Sequence, residues 1–100
     1  MSKRLTSPVI KRSIVIAGRK TSVSLEEPFW NGLKFIKNER NREIAKDEEQ
    51  ITLGSLVSEV NGWRLATKHS NLSSAIRLHV LDFLAERAGL SNIMTEMEHG

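Results

Sequence analysis

The chain has 100 residues, 39% of them hydrophobic, which is enough for one modest core and excludes a second folded domain within it. It contains no cysteine, so a disulfide framework, thiolate metal ligands and a Cys nucleophile are ruled out, and a reducing cytoplasm suits it. The formal net charge of +3 is unevenly spread: the first 20 residues hold six bases and no acid, while the remaining 80 hold nine bases and twelve acids.

Residues 1–12 carry Lys3, Arg4, Lys11 and Arg12 without periodicity and read as a flexible basic arm. Thr6, Ser7 and Pro8 stand where an apolar signal core would be, and no apolar run approaches the ~20 residues that span a bilayer. The expectation is a cytoplasmic protein without membrane contact. Next comes Ser13-Ile14-Val15-Ile16-Ala17, a β-branched apolar run closed by Gly18. In the stretch from Arg19 to Leu25, Thr21, Val23 and Leu25 alternate with Lys20, Ser22 and Ser24, the period of a half-buried strand.

Glu26-Glu27-Pro28 opens a first helix over about residues 26–40, with Phe29, Leu33 and Ile36 as an apolar stripe and Trp30 beside them. From Asn38 to Gln50 the chain is polar and charged, either a solvated extension of the helix or a long loop. Thr52 can cap a second helix with Leu53, Leu56, Val57 and Val60 on its apolar face, ending near Asn61-Gly62. A third helix, about 71–88, is capped by Ser70 or Asn71 and stopped by Gly89, and residues 89–100 read as a frayed tail. The folded domain is thus expected over residues 13–88. Its class is mainly α with one β-strand, and a lone strand needs a partner. A hairpin with residues 13–17 is possible, but antiparallel pairing with the same strand of a second copy is preferred, because an isolated hairpin is marginally stable.

The segments Lys11-Arg12-Ser13-Ile14-Val15-Ile16-Ala17-Gly18, Thr21-Ser22-Val23-Ser24-Leu25 and Phe29-Trp30, followed by Leu56-Val57-Ser58-Glu59-Val60 and Asn71-Leu72-Ser73-Ser74-Ala75-Ile76-Arg77-Leu78, resemble the ribbon-helix-helix DNA-binding proteins of the Arc and MetJ type, and short bacterial members above all. The resemblance runs over roughly residues 11–84. It departs from the family pattern at the polar insert Arg42 to Gln50, where the family turns tightly, and at the serines in place of the longer Arg, Asn or Gln.

That resemblance implies a homodimer, possibly of higher order on DNA, whose paired strands enter the major groove of double-stranded DNA. Lys20, Ser22 and Ser24 would touch base edges, while Lys11, Arg12 and Arg19 would hold phosphates. The start of the second helix, at Thr52 and Leu53, would grip another phosphate. Val23, Leu25, Trp30, Leu33, Ile36, Leu56, Val57 and Val60 would form the core and dimer interface, with the third helix an addition to the family fold. The implied activity is transcriptional repression by occupancy. As alternatives, these polar residues are ordinary solvent-facing side chains, or the protein is an antitoxin or adaptor whose third helix and tail bind a partner protein. No cofactor, metal or catalysis is expected: His69, His79 and His99 lack ligand spacing, and no phosphate loop or nucleophile elbow occurs.

Overall fold

A computed structural model describes residues 8–68 and 71–89. Two strands, β1 (Val9–Ile16) and β2 (Arg19–Glu26), are followed by three helices, α1 (Glu27–Arg42), α2 (Leu53–Ala66) and α3 (Leu72–Arg87). The strands form an antiparallel hairpin whose register runs from Ile16 opposite Arg19 at the turn to Val9 opposite Glu26 at the open end. Ala17 and Gly18 make the two-residue turn with φ of 52° and 80°. Positive φ at both central residues is the type I′ signature, and its twist matches that of the strands it joins. Gly18 takes up this conformation freely, whereas the Cβ of Ala17 is strained there by about 1–2 kcal/mol.

The strand expected from the alternation around Val23 is present as β2, but its partner belongs to the same chain. Residues 9–12, expected in the arm, and residues 13–16 together make β1, so the single-strand class is corrected to a two-stranded hairpin, in which one edge of β2 is paired with its own chain. The physical reason lies at Arg12. Ile10, Ile14 and Ile16 alternate toward the helices, but the inward position between them holds a charged residue, which breaks the apolar pattern. Its guanidinium finds a place over the Trp30 ring, 5.4 Å from the centroid. Trp30 in turn donates its indole N–H to the Ile10 carbonyl at 2.9 Å and pins α1 to β1. Residues 1–7 and 90–100 of the expected arm and tail lie outside the described residues.

Local chemistry sets the helix ends. α1 begins with Glu27 and Pro28 in its first turn and continues to Arg42, after which the polar insert is a loop. Both ends of that loop are tied by Asn41, whose side chain accepts from the Ile51 N–H at 2.8 Å and donates to the Ile51 carbonyl at 3.0 Å. Thr52 caps α2 through a capping box with Ser55. α2 does not stop at Asn61-Gly62 but runs four residues further, to Ala66. Gly62 lacks a positive φ, and a glycine inside a helix costs only about 1 kcal/mol, less than the packing of Val60 and its neighbours returns. Asn71 caps α3 by accepting from the Ser74 N–H at 2.8 Å, and Gly89, with φ of 75°, ends it.

The core is shared by all five elements: Ile14, Ile16, Val23 and Leu25 from the hairpin, Trp30, Leu33 and Ile36 from α1, Leu56, Val57 and Val60 from α2, and Ala75, Ile76 and Val80 from α3. Val23, Leu25, Trp30, Leu33, Ile36, Leu56, Val57 and Val60 are each at most 2% exposed within the single chain. As expected of the core they are buried, and the cover comes from β1 and α3 of the same chain. Two glycines permit close approach. A Cβ on Gly32 would lie 2.5 Å from Val80 Cγ1, and one on Gly54 would lie 2.6 Å from the Val15 carbonyl oxygen.

Candidate nucleic-acid interface

The hairpin register sorts its side chains onto two faces. One face packs on the helices; the other carries the cross-strand pairs Lys11 with Ser24, Ser13 with Ser22, and Val15 with Lys20. Lys11, Ser13, Val15, Lys20 and Ser22 are exposed and Ser24 is half-buried. No acid occurs from residue 8 to residue 25. Neither lysine makes an ion pair among the described residues. Glu26, at the open end of the hairpin, meets Arg77 of α3 in a two-pronged pair at 2.9 and 3.2 Å. That hydrogen-bonded guanidinium holds the Glu26 carboxyl below its ordinary pKa. The outer face is therefore cationic and hydroxylated, with Glu26 at its open end engaged by Arg77.

Of the residues expected at bases, Lys20, Ser22 and Ser24 share this face. Lys11, expected at a phosphate, lies among them opposite Ser24. Arg12 points to the other face and stacks on Trp30, so it and Lys11 do not act as neighbours. Arg19 flanks the turn and is exposed. Thr52 is exposed with its hydroxyl committed to the Ser55 N–H, and Leu53 is half-buried against the core. The Leu53 and Gly54 amides, in the first turn of α2, lie where Gly54 meets the β1 backbone at Val15. Sequence reasoning passed over Ser13 and Val15. The signal for them was the pair Ala17-Gly18: a two-residue turn there sets Ser13 opposite Ser22 and Val15 opposite Lys20.

Backbone alternation bears on the edges of the ribbon. In a two-residue hairpin the closing pair, Ile16 and Arg19, exchanges both hydrogen bonds, so Lys20, Ser22 and Ser24 fall in the intervening pairs with N–H and C=O turned outward. The Ser24 carbonyl accepts from the Ser73 hydroxyl of α3 at 2.8 Å.

A family model described as a ribbon-helix-helix domain matches residues 9–84. The chain belongs to the ribbon-helix-helix family. No curated protein and no solved structure matches it. Ribbon-helix-helix domains generally bind DNA, typically dimerise and serve as regulators. The matched span starts on the first residue of β1 and ends inside α3. Most of the third helix thus lies within the matched domain, where it had been expected as an addition.

Elsewhere the side chains offer little chemistry. Among the described residues no group of His, Asp and Glu could hold a metal ion, and no helix is long and apolar enough to cross a membrane. His79 of α3 is half-buried, and burial lowers its pKa against the opposing pull of Glu59 and Asp82. His69 and His99 lie outside the described residues. α3 also keeps an apolar outer side, with Leu78, Leu81 and Leu84 exposed by 40%, 51% and 41%.

Proposed function

We propose that this protein binds double-stranded DNA by laying the outer face of its hairpin in the major groove, and represses transcription in a bacterial cytoplasm by occupying its site. The observation that carries this reading is the acid-free face of exposed Lys11, Ser13, Val15, Lys20 and Ser22 with half-buried Ser24 at its end. A two-stranded ribbon fits the major groove, which is about 12 Å wide. There Lys20 donates to guanine O6 or N7 and the serine hydroxyls donate or accept at several bases. Lys11, Arg19 and the free amides at the start of α2 hold phosphates on either side, releasing condensed counterions. Arg12, drawn onto Trp30, contributes less than Lys11. A homodimer presents two such faces to a site with two-fold symmetry.

Selection from a random duplex library across a salt series, with the mass of the protein in solution measured alongside, tests this. Enrichment of a two-fold-related site is the expected result. Salt-sensitive binding without an enriched site would replace repression by an architectural role, and absence of binding at low salt would overturn the reading. The exposed leucines of α3 favour one second reading, an antitoxin or adaptor that binds a protein through this helix. Retention of DNA binding with loss of a co-purifying protein in Leu81→Ser would support it.

A further inference from the structure

The two ends of the hairpin are held by the helices in different ways. Among the described residues, the side-chain hydrogen bonds that tie helix to hairpin all lie at the open end: Trp30 to the Ile10 carbonyl at 2.9 Å, the Ser73 hydroxyl to the Ser24 carbonyl at 2.8 Å, and Arg77 to Glu26 at 2.9 and 3.2 Å. The turn end carries Lys20, and besides the packing of Ile14 and Ile16 it meets the helices where the first turn of α2 lies against the Val15 carbonyl. We infer that Gly54 is a positioning residue for Lys20: by lacking a side chain it sets where the turn end of the hairpin stands, and with it which base the lysine meets. The inference deepens the DNA-binding reading and rests on it for the role of Lys20.

A Cβ on Gly54 would lie 2.6 Å from the Val15 carbonyl oxygen. A carbon in contact with a carbonyl oxygen stands about 3.3–3.6 Å away, so a side chain here demands a separation of about 0.7–1 Å. No rotamer change absorbs it, because the oxygen belongs to the backbone. The helix is the firmer of the two bodies: α2 is anchored by the buried Leu56, Val57 and Val60, whereas beyond Ile16 the residues Ala17, Gly18, Arg19 and Lys20 are all exposed. The displacement therefore falls on the end of the hairpin.

Register carries it to Lys20. Val15 stands directly opposite Lys20, and the pairs on either side, Ile14 with Thr21 and Ile16 with Arg19, are the ones that exchange backbone hydrogen bonds. Val15 and Lys20, with Cα atoms about 4.5 Å apart, thus shift together. Groups that recognise a ligand must be held to about 0.5 Å, which the separation demanded by a Cβ exceeds. The contact is on the β1 edge and leaves the outward backbone groups of Lys20 and Ser22 on the β2 edge without a partner among the described residues. It therefore sets the position of the ribbon from the helix side, whether or not a second copy holds the other.

The test compares Gly54→Ala with Gly62→Ala, a change in the same helix where an added Cβ meets nothing within 4 Å. In the duplex selection, Gly54→Ala should relax preference roughly five-fold or more at the base position that Lys20→Ala also relaxes, and change affinity for random duplex less than about two-fold. Gly62→Ala should leave both as they are. On top of Lys20→Ala, Gly54→Ala should cost nothing further at that position. Equal losses on selected and random duplex, an unchanged preference, the same relaxation in Gly62→Ala, or full additivity with Lys20→Ala would overturn the inference. So would a Gly54→Ala chain that fails to fold, since the expected change retains the core around Leu56. Backbone amide shifts of the DNA-free full chain read the displacement by itself: in Gly54→Ala they should change over residues 14–21 and stay in place at Ile10, Ser24 and Glu26. Changes as large at the open end would refute the positioning. Failure of the unaltered chain to bind duplex DNA at low salt would overturn the DNA-binding reading and the role of Lys20 with it, and the amide shifts would still decide whether Gly54 sets the turn end.

Discussion

Gly32 lets α1 and α3 meet, and replacing it measures how tightly they do. A Cβ at Gly32 would stand 2.5 Å from Val80 Cγ1, where about 3.5–4.0 Å is the comfortable carbon–carbon distance. About 1 Å must therefore be opened between the helices. Val80 cannot swing aside, because a β-branched side chain in a helix has one strongly preferred rotamer. Overpacking of this kind costs about 1–3 kcal/mol, and the better helix propensity of alanine returns about 1 kcal/mol. Gly32→Ala should thus destabilise by about 1 kcal/mol. Val80→Ala alone, at a side chain 2% exposed, should cost about 2–3 kcal/mol through lost burial and the void left behind. In the double variant the new methyl fills part of that void, so the total should fall short of the sum by about 1–2 kcal/mol. Urea unfolding followed through the buried Trp30 gives all four stabilities. Additivity within about 0.5 kcal/mol, or stabilisation by Gly32→Ala alone, would refute the close contact.

The strained turn makes the opposite forecast: Ala17→Gly removes a left-handed Cβ and should stabilise by about 1 kcal/mol in the same assay, and a loss of stability would speak against the type I′ geometry. His79, whose pKa is lowered from 6.5 by burial, favours the folded state when neutral. Its contribution is complete above 6.5 and is lost as pH falls through the lower folded value, so the urea midpoint should drop between about pH 7 and pH 5, and less steeply in His79→Gln; identical profiles would exclude the effect. Lys11→Ala should weaken DNA binding and flatten its salt dependence, and Arg12→Ala should do so less, since Arg12 lies over Trp30. A larger effect at Arg12 would show that the cation leaves the ring to reach a phosphate.

Much of this fold can be read from residue order, and the places where reading failed have definite causes. The alternation of Thr21, Val23 and Leu25 with Lys20, Ser22 and Ser24 marks β2, and Thr52 and Asn71 mark where α2 and α3 begin, because caps are local chemistry. The eight expected core residues are buried. Their partners were harder to see: whether Leu56 meets β1 and α3 or a second chain is a question of tertiary closure, which periodicity does not carry. β1 was obscured by one arginine whose inward position is tolerable only because Trp30 lies beneath it, a contact between residues 18 apart in sequence. The outer face of the hairpin was legible on β2 alone, and its β1 half became visible only once Ala17-Gly18 had set the register.

The double grip of Asn41 on Ile51 has a practical corollary for the charged connection between α1 and α2. With its ends clamped, the loop can change length without moving the start of α2, and the entropy of closing a longer loop rises only slowly, by about 0.6 kcal/mol per doubling. Residues 43–50 are therefore a permissive port, where an affinity tag, a dye-bearing peptide or a second binding module can be carried while the hairpin is left unaltered.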